Sequence, residues 1–175
     1  MPDTEKCVLV DEYDRVLGEV DRSLCHKDPS LIHRTSHVVV IDRDDRLLLQ
    51  KRSLSKDMEP GKWDTAVGGH LSPGENYEDA AMREYAEELG HFPPVPLKKL
   101  FDMRVRTDRE SENVRVFLCT DNGPFSPDKK EISELRFFSS SELASLEKED
   151  MTPGLAIELK LLEEKGIILI KRRDL

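Results

Sequence analysis

The chain predicts an α/β layered fold. Two observations carry that expectation. Strand-like, β-branched runs are mixed along the chain with two or three helical stretches. At 175 residues the chain is most simply one domain, long enough for a real core.

The elements follow in order. Residues 7–10 and 15–20 flank the turn-forming stretch 11–14 and read as a β-hairpin. Residues 22–33 are polar and read as a loop with a helical turn. The β-branched run 36–41 predicts a buried strand, 42–46 a turn, and 47–50 the return strand. Residues 53–62, with Pro60-Gly61, form a loop before a short strand at 63–68. A helix is expected over 76–89, with Ala81, Met82, Tyr85 and Leu89 as its apolar stripe. Gly90 is placed to be its left-handed cap. Strands follow near 97–107 and 113–120, then a charged loop at 127–133 and a strand at 135–138. Ser139 to Ser141 can cap a helix at 140–148. A last helix spans 152–165, with Thr152 as cap, Pro153 at its first position and Gly166 as its stop.

The helix at 76–89 carries the chemistry. Glu84, Glu87 and Glu88 lie at about 0°, 300° and 40° around its axis, so they share one face. Carboxylates at i,i+3 and i,i+4 repel one another. A hard cation removes that cost, and Mg²⁺ or Mn²⁺ prefers such oxygens. Mg²⁺ commonly shares its shell with substrate phosphates, so the expected partner is a small diphosphate compound. We expect Glu84, Glu87 and Glu88 to be catalytic and metal-binding, with the Gly69 carbonyl as a further ligand. Arg83 stands i,i+4 from Glu87, and Glu75 lies just before the helix. Arg83 is therefore expected to orient carboxylates, with Glu75 as structural support.

Gly69, Glu75, Arg83, Glu84, Glu87, Glu88 and Gly90 have the spacing of the Nudix box. The chain resembles the Nudix (MutT-like) hydrolases over about residues 34–165. His91 departs from the apolar final position, where Phe92 can supply the contact. The resemblance implies a mixed β-sheet sandwiched between α-helices, here with the hairpin as an extension (1–33), a core (34–165) and a tail (166–175). It implies metal-dependent cleavage of a diphosphate linkage, as in a nucleoside diphosphate-X compound. It leaves the base open, with Glu131 and Glu134 as candidates from a distant loop. Arg52 and Lys56 are candidate phosphate contacts. Trp63 reads as a core aromatic. Phe101, Arg104, Arg106, Arg109 and Arg115 are candidates for the pocket border.

The whole-chain layout resembles a sub-branch that includes isopentenyl-diphosphate isomerase. His26, His33 and His70 sit where that enzyme binds metal, so they could form a second site suited to Zn²⁺ or Mn²⁺. The isomerase's key groups are missing, however. Gly68 stands at its cysteine, Asn113 aligns with its strand glutamate (Glu112 is one residue off), and Gly154 follows Thr152-Pro153 in place of its tryptophan. The intact acidic box favours hydrolysis over isomerisation, and over a non-catalytic nucleotide-sensing domain.

Composition sets the outer limits. A net charge of −9 argues against general nucleic-acid or anionic-membrane binding. No run of 18 apolar residues occurs, so no helical membrane span is expected. The acidic N-terminus lacks a signal-peptide layout. Cys7, Cys25 and Cys119 form no CxxC, and they read as reduced core thiols of a cytoplasmic protein. A homodimer is compatible with this reading.

Overall fold

The computed structural model describes residues 5–170. Residues 1–4 and the last five residues of the tail lie outside it. The described residues form nine strands and four α-helices: β1 (Lys6–Val10), β2 (Val16–Asp21), α1 (Arg22–Cys25), β3 (Ile32–Ile41), β4 (Leu47–Arg52), β5 (Trp63–Thr65), β6 (Val67–His70), α2 (Tyr77–Leu89), β7 (Lys98–Arg106), β8 (Ser111–Thr120), β9 (Ile132–Phe138), α3 (Ser140–Ala144) and α4 (Pro153–Glu164). A 3-10 turn, Lys148–Asp150, precedes α4.

β3 organises the sheet. It pairs antiparallel with β1, β4 and β6, and parallel with β8 over its whole length, from Ile32↔Ser111 to Ile41↔Thr120. A parallel pair beside antiparallel ones makes the sheet mixed, as expected. β7 extends the β8 side, and β9 and β5 flank β4. The hairpin β1–β2 joins the same sheet through Leu9↔His33.

Alternation along β3 sends side chains to two cores. Val38 and Val40 join Ala80, Ala81, Tyr85 and Leu89 of α2. Val39 joins Leu155, Leu159 and Leu162 of α4 and Leu143 of α3 on the other face. The helices therefore sandwich the sheet, because neither apolar face can be left to water. Burying a large apolar side chain such as Leu89 contributes about 1.5–3 kcal/mol. Trp63 is buried in the second core, edge-on to Phe138.

Local signals set the helix ends. The Asn76 side chain accepts from Asp79 N at 2.9 Å, and Gly90 closes α2 at φ 86°. Ser139 and Glu142 form a reciprocal capping box on α3, which stops at Ala144, short of the predicted end. Thr152 caps α4, and Pro153 opens it without losing a hydrogen bond.

Three expectations are corrected, and the tail adds a buried residue. β3 begins at Ile32 rather than Ser36, because polar His33, Thr35 and Ser36 are fully or nearly fully buried in the sheet. Met82 leaves the α2 stripe, and Ala80 takes its place in the core. Phe92 does not supply the apolar contact: it is exposed, and His91 instead stacks on Phe125. The tail folds back far enough for Ile168 to be buried.

Candidate functional site

The box helix leans on the β6 strand, and the two define a cleft of about 780 Å³. The Glu84 and Glu88 side chains point to β6 across the helix face that Gly69 leaves open. Glu88 Oε2 accepts from Gly68 N and from Gln50 Nε2, both at 3.1 Å. Glu87 is the outward member of the trio, and its side chain is 60% exposed.

Arg83 ties the acids together. Its guanidinium donates to Glu75 at 2.8 and 3.0 Å, to Glu84 at 2.7 Å and to the His70 carbonyl at 3.0 Å, with Glu87 at 3.4 Å. A planar fork suits several acceptors at fixed angles. The Glu75 hydrogen bond pushes Arg83 up, and Glu75 is lowered in turn by Arg83.

Glu84 and Glu88 are held differently. Burial pushes Glu84 up to about 7, with Arg83 opposing and Glu87 adding to the rise. Burial pushes Glu88 up to about 8, and the charge of Glu84 adds to it. Two carboxyls that resist ionising side by side form a donor set completed by a cation. Glu84 and Glu88 are the pair that faces the cleft; Glu87 is turned outward, and among the described residues the three carboxylates are not brought within 4.8 Å of one another.

A second cluster lies beside the first. His26, His33 and His70 present ring nitrogens within 4.8 Å of one another, and a ring nitrogen of His33 lies equally close to carboxylate oxygens of Glu110 and Glu112. His26 Nε2 and His70 Nε2 are 3.4 Å apart. Burial lowers both His26 and His70, which favours the neutral, ligating form. His26 Nδ1 meets Asp57 at 2.9 Å, an arrangement that orients an imidazole. His33 Nε2 is buried and makes no hydrogen bond. Such an orphaned nitrogen is unfavourable unless something binds it. The donor set of imidazoles and carboxylates fits a transition-type divalent ion.

The remaining candidates divide. Arg52 and Lys56 line the cleft, but each already has a carboxylate: Arg52 holds Asp64 at 3.0 Å, and Lys56 holds Glu131. Glu131 therefore faces the box acids. Glu134 does not, and pairs outward with Arg136 at 3.9 Å. Arg104 and Arg115 border a different groove, with Arg115 bound to Asp102 at 2.7 Å, and Phe101 is a core residue. Arg106 donates to Asn113 Oδ1 at 2.8 Å, while Arg109 lines neither groove. Glu112, opposite His33 in the β3–β8 register, lies 3.7 Å from His33 Nε2, while Asn113 is bound to Arg106 away from the cluster.

Residues 31–162 match the NUDIX domain family. The chain belongs to the Nudix family. It is 34% identical over 148 residues to the isopentenyl-diphosphate Delta-isomerase of Streptomyces avermitilis, covering 81% of this chain and 75% of that one. It is 36% identical over 141 residues to an uncharacterised Nudix hydrolase of Yersinia pestis, covering 78% and 74%. A solved Deinococcus radiodurans structure superposes with a TM-score of 0.68 at 25% identity, covering 81% of this chain and 87% of that one. Relatives of both kinds therefore share this Nudix fold, and the site residues must separate the activities.

Sequence reasoning missed Gln50, Asp57 and Glu110. Gln50 reads as a strand residue and gives no signal of its contact with Glu88. Glu110 and Glu112 carry the i,i+2 spacing that puts two side chains on one strand face, and this could have found them.

Proposed function

We propose that the protein is a metal-dependent Nudix hydrolase that cleaves a diphosphate linkage in a phosphorylated small molecule. The observation that carries this is the pair Glu84 and Glu88 set against the Gly68–Gly69 backbone, Glu84 held by Arg83 and Glu88 by Gly68 N and Gln50. A bound divalent ion would neutralise phosphate charge and make a water nucleophilic. Glu84, Glu87 and Glu88 hold that ion, and Arg83 and Glu75 keep the carboxylates aimed. In this reading Glu131 takes a proton from water and Lys56 meets a phosphate oxygen, once substrate opens the ion pair they form with each other. The test is chromatographic detection of the two phosphorylated products from ADP-ribose, dinucleotide polyphosphates, nucleoside triphosphates and coenzyme A, with Mg²⁺ and Mn²⁺ compared. Absence of turnover across that panel defeats the reading.

One observation favours a second reading. The cluster of His26, His33, His70, Glu110 and Glu112 joins the cleft, and isomerases are among the relatives. Isomerisation of an isoprenoid diphosphate would use that cluster. Gly68 and Gly154, which carry no side chain, stand against it. Incubation with isopentenyl diphosphate, followed by assay for dimethylallyl diphosphate, decides between the two.

A further inference from the structure

Behind Gly68 the cleft narrows into an inner cavity of about 90 Å³. His37 of β3 forms part of its wall. The His37 Nδ1 meets Glu158 Oε2 at 2.8 Å, and Glu158, on α4, is 1% exposed. Among the described residues His37 is the hydrogen-bond partner of that buried carboxylate. The opposite ring edge faces two glycines. A Cβ at Gly68 would lie 3.3 Å from His37 Cδ2 and 3.4 Å from Nε2, and one at Gly154 would lie 3.6 Å from Cε1. No hydrogen bond to Nε2 occurs among the described residues. Two missing side chains therefore leave this nitrogen open to the cavity.

We propose that His37 contacts substrate, with its Nε2–H donating a hydrogen bond to an anionic oxygen at the inner end of the bound phosphorylated molecule. This rests on the reading of the cleft as a phosphorylated-substrate site. Glu158 Oε2 accepts the hydrogen bond from Nδ1–H, so Nε2 is the nitrogen left to face a ligand, and in the charged ring it carries a proton to donate. Burial opposes a charged ring, yet Glu158's hydrogen bond and charge overcome it and raise His37 to about 9. Four carboxylates also line the cavity, and those of Asp64 and Glu112 add to the field that keeps His37 charged. Asp64 is held by Arg52 and Thr152, Glu59 by Lys62, and Glu110 and Glu112 lie against His26 and His33. Size restricts the ligand further: an apolar cavity of about 150 Å³ accommodates benzene. The inner cavity is smaller, so it takes a phosphoryl or carboxylate end and excludes a nucleobase.

The test is nitrogen NMR of the histidine-labelled protein with Mg²⁺, titrated with inorganic phosphate and with methylenediphosphonate. The expected result is a saturable shift of the His37 Nε2 signal with inorganic phosphate. A pair held only for structure would leave that signal still. In the double variant His37→Asn/Glu158→Gln, the Kd for phosphate rises at least tenfold while methylenediphosphonate still binds. If that variant fails to fold, the wild-type titration decides alone. Saturation by methylenediphosphonate with no His37 response to either probe overturns the proposal and leaves the hydrolase reading standing. If neither probe binds, both readings fall together.

Discussion

Gly69 and Glu84 are in contact as closely as a glycine allows: a Cβ built on Gly69 would lie 2.0 Å from the Glu84 carboxyl carbon and 2.2 Å from its Oε1. The Glu84 side chain cannot swing aside freely, because Arg83 holds Oε1 at 2.7 Å. Gly69→Ala therefore displaces either the carboxylate or the strand. A misplacement of about 1 Å in a reacting group costs about 100-fold in rate. We expect the variant to keep its circular dichroism spectrum and to lose turnover on that scale. Wild-type turnover in Gly69→Ala removes the reason for a glycine here.

Glu88 offers a stability measurement of its own. Its carboxyl sits near 4.5 when free and is raised to about 8 in the fold by burial and by Glu84. Below the lower value both states are protonated, and Glu88 contributes nothing. As pH rises toward 8 the unfolded chain gives up this proton first, so the metal-free fold loses stability throughout that window. Above it the loss is complete. Glu88→Gln lacks the penalty. In chelator-treated protein we expect the variant to gain on the wild type in urea denaturation at pH 9 and to match it at pH 4. Turnover of the same variant falls, since a ligand matters more than the outer partners whose loss weakens metal binding by about 10–100-fold. Equal urea midpoints at both pH values sink the claim of a buried, unwilling acid.

The box helix was legible because its signals are local. Asn76, Gly90 and the spacing of the four box residues from Arg83 to Glu88 need only helical geometry, and the structure places each as that geometry requires. The three histidines were legible only through resemblance, since they come from α1's end, β3 and β6. Glu110 stayed hidden, and the contact of Glu112 with His33 unseen, because both are set by the parallel β3–β8 register, a pairing between segments some 80 residues apart. Polar His33, Thr35 and Ser36 disguised the start of β3, as buried polar residues mimic a loop in any hydrophobic pattern. His37 and Glu158 are 121 residues apart, and neither has a motif.

The histidine cluster predicts a second class of metal binding. His33 Nε2 is buried without a hydrogen bond, with Glu112 Oε1 3.7 Å away, so an ion between them satisfies both. Titration with Co²⁺ or Mn²⁺ is expected to show two sites per chain by calorimetry. His33→Ala removes the one served by imidazoles and leaves the box site, while Glu87→Gln with Glu88→Gln does the reverse. Cobalt absorption separates them, because nitrogen and oxygen donors give different spectra. One binding event that both sets of changes abolish equally contradicts a two-site cleft.

Arg83→Lys probes whether position or charge matters at the centre of the box. The guanidinium reaches Glu75, Glu84 and the His70 carbonyl at once, all within 3.0 Å. A lysine keeps the charge but presents a point donor on a flexible stem, and cannot span acceptors on the loop, the helix and β6 together. The Glu84 and Glu75 carboxylates then lose their common frame, though the helix stays capped by Asn76 and buried through Tyr85 and Leu89. We expect the melting temperature to fall by a few degrees, as about 1 kcal/mol does in a chain of this size. Mn²⁺ affinity is expected to fall by about 10–100-fold, the range for a group that orients ligands without touching the ion. If Arg83→Lys binds Mn²⁺ as the wild type does and turns over normally, charge alone suffices and the aiming role assigned to Arg83 is wrong.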